Sequence, residues 1–124
     1  MSNYDLEETN LLKWQFLLST FFIISTLISL TLTYNEILKR KKLKPLYTKK
    51  EEAKVLKFNR TFASLIAIGF IIINVTDKTI RKKYNDCNES VANAQISASI
   101  ITFIATIIVL YLAFYNDNIE NPEL

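Results

Sequence analysis

Three uncharged, apolar stretches alternate with charged connections along the chain. The longest stretch, 94–115, runs for 22 residues without a charge, a proline or a glycine. A helix of that length is about 33 Å long, which is enough to cross the hydrocarbon core of a bilayer. The pattern predicts an all-α integral membrane protein, a three-helix bundle with membrane-spanning segments at about 11–34, 58–80 and 91–115. The chain is expected to form a single transmembrane domain over 1–124.

The second apolar stretch is the shortest of the three. Thr61–Thr76 gives about 24 Å of helix, so a full crossing requires Asp77 and Lys78 to lie among the headgroups. An alternative is that this segment is re-entrant or interfacial, which would place both basic connections on one side of the membrane. Three crossings are favoured because the segment lacks the strongly polar face of an interfacial helix.

The first connection, 35–60, contains ten lysines and arginines and a clear sequence of stop and start signals. Pro45 predicts a break after the first helix. Thr48 and Glu51 form a capping-box pattern, which predicts that a new helix begins near Lys49 and continues into the second apolar stretch. The connection is therefore predicted to be a basic helical hairpin that stands off the membrane.

The N-terminal arm, the start of the third helix and the C-terminal tail complete the predicted elements. Residues 1–10 are predicted to be a short acidic arm, with Thr9 or Asn10 capping the first helix. Ser90 is the expected cap of the third helix, and 116–124 is expected to be an acidic tail.

The distribution of lysine and arginine predicts the orientation. The side that holds the first connection has ten basic residues, whereas the side that holds the N-terminus and the second connection has about five. Basic residues stay in the cytoplasm during insertion. The N-terminus is therefore predicted to lie outside, and the basic hairpin and the C-terminus in the cytoplasm.

Small and polar residues form a stripe along each apolar segment. Such stripes allow helices to approach closely and to exchange hydrogen bonds, or they line a wetted pore when copies assemble. The candidate positions are Gln15, Ser19, Thr26, Ser29 and Thr33 in the first segment, Ala63, Ala67 and Asn74 in the second, and Gln95, Ser99, Thr102 and Thr106 in the third.

The residue types that carry chemistry are scarce. The chain has no histidine, one cysteine (Cys87), and no paired carboxylates or glycine-rich loop within an apolar setting. No catalytic, metal-binding or cofactor-binding residue is therefore expected, and the protein is predicted not to be an enzyme.

The basic hairpin indicates the expected partners. Basic residues beside a membrane attract anionic lipid headgroups, and the candidates for such contacts are Lys39, Arg40, Lys41, Lys42 and Lys44. The lipid bilayer is the primary partner, a second copy or a membrane complex is the other, and no nucleic-acid partner is expected because no aromatic platform accompanies the charge.

The pieces KPLYTKKEEAK and AQISASIITFIATIIVLYL are similar to small multi-pass membrane proteins of low-GC bacteria that have no assigned activity. The size and the number of helices also resemble those of three-helix phage holins, although holins usually end in a basic tail. These resemblances imply no active site. The sequence thus leaves two functional hypotheses, a structural or accessory role through helix packing and an oligomeric, holin-like pore.

Overall fold

The computed structural model describes residues 2–118, with side chains up to Tyr115, and all regular secondary structure within that range is helical. The helices are α1 (Asn3–Arg40), α2 (Lys49–Lys83) and α3 (Glu89–Asn118). Each contains a stretch long and apolar enough to cross a membrane. The predicted all-α, three-helix architecture is confirmed. Of the predicted acidic tail, the side chains of 116–118 and all of 119–124 lie outside the described residues.

Helix α1 begins earlier than the sequence pattern predicted. Ser2 is its N-cap, and the Ser2 hydroxyl accepts a hydrogen bond from the backbone N–H of Asp5 at 3.1 Å. The predicted cap at Thr9 or Asn10 is wrong, because Ser2 satisfies a free N–H group first and an acidic first turn suits the positive end of the helix dipole. The acidic residues 3–10 therefore form the first two turns of α1.

Both connections begin with a left-handed residue that ends the preceding helix. Lys42 (φ 57°) and Asn85 (φ 56°) hold these positions. The N–H of Leu43 donates to the carbonyl of Leu38 at 2.9 Å after α1, and the N–H of Asp86 donates to the carbonyl of Arg81 at 2.8 Å after α2. These are the hydrogen bonds of the Schellman motif, which turns the chain within a few residues.

The two following helices begin with side-chain caps. The Thr48 and Glu51 capping box is present with both of its hydrogen bonds, so the predicted start of α2 at Lys49 is confirmed. The cap of α3 is Asn88, whose side-chain oxygen accepts from the N–H of Val91 at 3.2 Å. The predicted cap at Ser90 is wrong, because Asn88 is an equally good cap that comes first in the chain.

Helix α2 lies between the other two. Tyr4 stacks on Tyr84 at one end of the α1–α2 pair, while Asn35 binds Glu52 at the other end, so these helices are antiparallel. Helix α3 is likewise antiparallel to α2. Among the described residues, no Cα atom of α1 comes within 8 Å of α3. The bundle is therefore an open layer in which α1 and α3 each pack on α2.

Small residues allow the helices to approach. The buried apolar residues of the described chain are only Ile66, Ala67, Ile73, Ala92 and Ala113. Gly69 touches α1 so closely that an added Cβ would lie 2.7 Å from a terminal carbon of Leu18. Most large apolar side chains face outward, as expected of helices whose solvent is lipid rather than water.

Candidate interaction surfaces and polar clusters

A buried hydrogen-bond network joins α1 to α2 inside the apolar region. The Ser25 hydroxyl donates to the side-chain oxygen of Asn59 at 2.8 Å, and the Asn59 amide donates to the Ser29 hydroxyl at 2.9 Å. Asn59 is 1% exposed. The sequence pattern does not indicate this role for Asn59, because Asn59 lies beside Arg60 and so resembles a headgroup residue. Nor does it indicate the role of Ser25, which lies off the predicted stripe.

The predicted stripe of α1 largely turns away from α2. Ser29 makes the contact just described, but Gln15, Ser19, Thr26 and Thr33 are exposed. Thr26 donates its hydroxyl hydrogen to the carbonyl of Phe22 in its own helix at 3.0 Å. This stripe is therefore available to a neighbour outside the described chain.

The predicted stripes of α2 and α3 meet in part. The side-chain amide of Asn74 lies 3.4 Å from the backbone carbonyl of Gln95, to which it donates. Ala67 and Ser99 are buried, Ala63, Asn74 and Thr106 are half-buried, and the side chains of Gln95 and Thr102 are exposed. The hydroxyls of Ser99, Thr102 and Thr106 all donate to carbonyls of α3 itself.

The three stripes lie on one side of the layer. Successive helical residues turn by about 100°, which places Ala63, Phe70 and Asn74 between the α2 residues that touch α1 and those that touch α3. The stripe of α1 lies on the side of that helix next to Ser29, and the stripe of α3 lies on the side next to Gln95. Both stripes therefore face the same way as Ala63, Phe70 and Asn74. We call this side the polar face; its members are Gln15, Ser19, Thr26, Thr33, Ala63, Ala67, Asn74, Gln95 and Thr102.

The opposite side of the layer is apolar. Its exposed residues at corresponding positions are Leu17, Ile24, Leu65, Ile72, Ile100 and Ile107. We call these residues the apolar face. They carry no side-chain hydrogen-bonding group, so a lipid environment would leave no polar side chain of this face unpaired. The layer is therefore two-sided, which the sequence alone could not establish because it requires the helix register.

A second polar cluster fixes the hairpin end. Asn35 is completely buried; its amide donates to Glu52, and its oxygen accepts from the backbone N–H of Tyr47 at 2.9 Å. The Tyr47 hydroxyl lies 2.9 Å from that of Thr31. These bonds tie the turn that contains Pro45 to the end of α1, so the predicted hairpin is an ordered element.

The predicted lipid-contact residues fall into two groups. Lys39 pairs with Glu52 at 2.9 Å, and this hydrogen bond raises the pKa of the Lys39 ammonium. Arg40 pairs with Glu36 at 3.3 Å. Lys41, Lys42 and Lys44 are exposed and form no ion pair within the described residues. These three side chains have their charge available to a headgroup.

Arg81 organises the opposite end of the layer. It pairs with Asp77 at 3.1 Å and Asp86 at 3.4 Å, and lies 3.5 Å from Glu8. Burial and the neighbouring Asp77 carboxylate raise the pKa of Glu8. The Tyr4 hydroxyl donates to Asp86 at 2.7 Å, and this bond raises the pKa of Tyr4 to about 12.

Two further ion pairs neutralise basic residues at this end. Lys83 pairs with Glu7 at 3.1 Å, and Lys82 pairs with Glu89 at 2.8 Å. These bonds lower the pKa values of both glutamates. Acidic residues in the first turns of α1 and α3 therefore serve as counter-ions for the end of α2.

A polar cleft of about 810 Å³ opens beside Arg81 and is lined by the second connection, including the half-buried Cys87. Within the described part of the chain, no group of three or more His, Cys, Asp or Glu side chains could hold a metal ion.

No family model, curated protein or solved structure matches the chain.

Proposed function

We propose that the protein crosses the membrane three times, with its N-terminus outside and its basic hairpin and C-terminus in the cytoplasm. The continuity of α2 over 35 residues supports a full second crossing. The hairpin segment 35–60 holds ten basic and three acidic residues, whereas segments 2–13 and 77–93 together hold five basic and six acidic residues. This bias in lysine and arginine favours a cytoplasmic hairpin.

Labelling of single cysteines tests this orientation. In a Cys87→Ser background, Ser90→Cys should react with an impermeant maleimide in intact cells, and Lys49→Cys only after permeabilisation. Equal labelling of both from the same side would contradict three crossings and favour a re-entrant α2.

The molecular role that we propose is non-enzymatic: copies of the chain, or a membrane complex, associate through the polar face. The observation that carries this proposal is the collection of three small or polar stripes on one side of an open layer. Small residues permit close helix contact in lipid, and an exposed amide such as Gln15 gains a hydrogen bond when it is covered. The apolar face then remains in contact with lipid.

Oxidative cross-linking tests the association. Thr26→Cys places a thiol on the polar face, and Ile24→Cys is the matched control on the apolar face, two residues away. In a Cys87→Ser background, oxidant should convert Thr26→Cys, but not Ile24→Cys, into a disulfide-linked dimer. Equal cross-linking of both variants, or of neither, would refute association of copies of the chain through the polar face.

A pore lined by the same residues is the second candidate, since an assembly around the polar face would enclose Gln15 and Thr102. The hydroxyls of Thr26 and Thr102 already donate to their own helices, which favours packing over a wetted wall. Dye leakage during expression separates the two. A pore predicts leakage that is abolished by Thr26→Leu with Thr102→Leu; intact membrane potential at high expression contradicts it.

A further inference from the structure

Arg60 lies deeper in the apolar region than its place after the basic connection suggests. Its neighbour Asn59 is level with Ser25 and Ser29 of α1. Ser29 precedes Tyr34, the last residue of the first predicted membrane-spanning segment, by five residues, or roughly 7–8 Å of helix. On the side of α2 that faces α3, Lys57 lies 5.2 Å above the ring of Phe114. Arg60 is one helical turn farther from the hairpin than Lys57.

The Arg60 side chain has no partner within the described residues. Its Nε is buried without a hydrogen bond, and its guanidinium forms no ion pair there. Only its backbone carbonyl is engaged, as it accepts from the Ser64 hydroxyl at 3.1 Å. A guanidinium keeps its charge at every accessible pH, so at this depth it requires an anion or water.

The surroundings of Arg60 indicate the kind of anion. The hairpin end has a large excess of basic residues, which attracts anionic lipids to this leaflet. The adjoining surface of α3 exposes large apolar side chains, Phe114 and Ile107 among them, against which acyl chains can lie. A guanidinium also matches a phosphate through two parallel hydrogen bonds.

We propose that Arg60 binds the phosphate of an anionic phospholipid of the cytoplasmic leaflet, in the groove between α2 and α3 beside Lys57 and Phe114. The headgroup is drawn toward Arg60 while the guanidinium extends toward the interface, and the acyl chains follow the helices. This inference rests on the membrane insertion proposed above, but not on association through the polar face.

Native mass spectrometry of the purified full chain tests the site with phosphatidylglycerol, phosphatidylcholine and inorganic phosphate as probes. The wild type should retain phosphatidylglycerol about fivefold better than phosphatidylcholine, the effect of one well-placed basic side chain. Arg60→Gln should remove this preference. Arg60→Lys should keep part of it, because a lysine supplies charge without the two-pronged geometry.

Lys50→Gln is the matched control, since Lys50 belongs to the same basic region, is exposed and is not among the predicted lipid contacts. It should retain the wild-type preference. An equal loss in Lys50→Gln would show a diffuse charge effect, and displacement of the lipid by millimolar inorganic phosphate would show a free-anion site; either result overturns the proposal. If the wild type shows no preference for phosphatidylglycerol, the proposal is also overturned, even if Arg60→Gln fails to fold.

Membrane fractionation of wild type and Arg60→Gln distinguishes failure of the Arg60 lipid site from failure of the proposed function. A chain that inserts but shows no lipid preference refutes the Arg60 site alone. A chain that does not enter the membrane refutes the proposed function as well.

Discussion

The Asn59 network offers a direct measure of what holds α1 to α2. Asn59→Ala removes two interhelical hydrogen bonds, at 2.8 and 2.9 Å. Such bonds average about 0.6 kcal/mol in membrane proteins and reach about 1.7 kcal/mol, so the expected loss in the free energy of unfolding is about 1–3 kcal/mol. The hydroxyls left behind can donate to carbonyls of α1, which limits the penalty to these bonds.

A double-mutant cycle isolates one bond of this network. Ser25→Ala, Asn59→Ala and the double variant should give a coupling energy of about 0.6–1.7 kcal/mol. Unfolding by dodecyl sulfate can be followed by energy transfer between dyes on Cys87 and on Asn3→Cys, which lie at the same end of the α1–α2 pair.

Asn74→Ala is the control for polarity within the apolar region. Asn74 is half-buried and makes one long hydrogen bond, at 3.4 Å, so its removal should cost less than about 0.6 kcal/mol. The reasoning fails if Asn59→Ala destabilises no more than Asn74→Ala, or if the coupling between Ser25 and Asn59 is below about 0.3 kcal/mol.

Substitutions at three further sites test other parts of the layer in the same unfolding assay or by hydrogen exchange. Gly69→Ala should be tolerated, because only the flexible end of Leu18 must move, whereas Gly69→Leu should separate α1 from α2 and destabilise by about 2 kcal/mol or more; equal effects would refute close contact. The raised pKa of Glu8 means that the folded chain binds its proton more readily than the unfolded chain. Stability should therefore rise as the pH falls toward the ordinary pKa of a glutamate, about 4.3, and this rise should be smaller in Glu8→Gln; the chain has no histidine to add a pH dependence of its own. Thr48→Ala should cost the hairpin about 1 kcal/mol and accelerate amide exchange in the first turn of α2, and unchanged exchange would show that the cap is dispensable.

The elements of the fold could be predicted wherever a local signal was sufficient. The start of α2 followed from the capping box alone, and the helices followed from long apolar runs with few breakers. The start of α3 shows the limit of such signals. Asn88 and Ser90 are both good caps in one short turn, and only the path of the backbone after Asn85 decides between them.

The polar contacts were harder to predict because they depend on how the helices slide past one another. Asn35 and Asn59 adjoin charged residues in the sequence, so they resembled interfacial residues. The antiparallel register brings Asn59 opposite two serines and Asn35 opposite Tyr47 and Glu52. Each stripe of the polar face could be read from its own segment, but their common side could not.

The open layer has a consequence for the order in which the protein is built. Because α1 and α3 come close only to α2 within the described residues, residues 2–84 contain the contacts described for the α1–α2 pair. A ribosome that has made only these residues has already supplied the Asn59 network, the hairpin cluster and the Arg81 pairs with Glu8 and Asp77. The pair can assemble as soon as α2 emerges, and α3 then joins a finished partner as the last helix to be made.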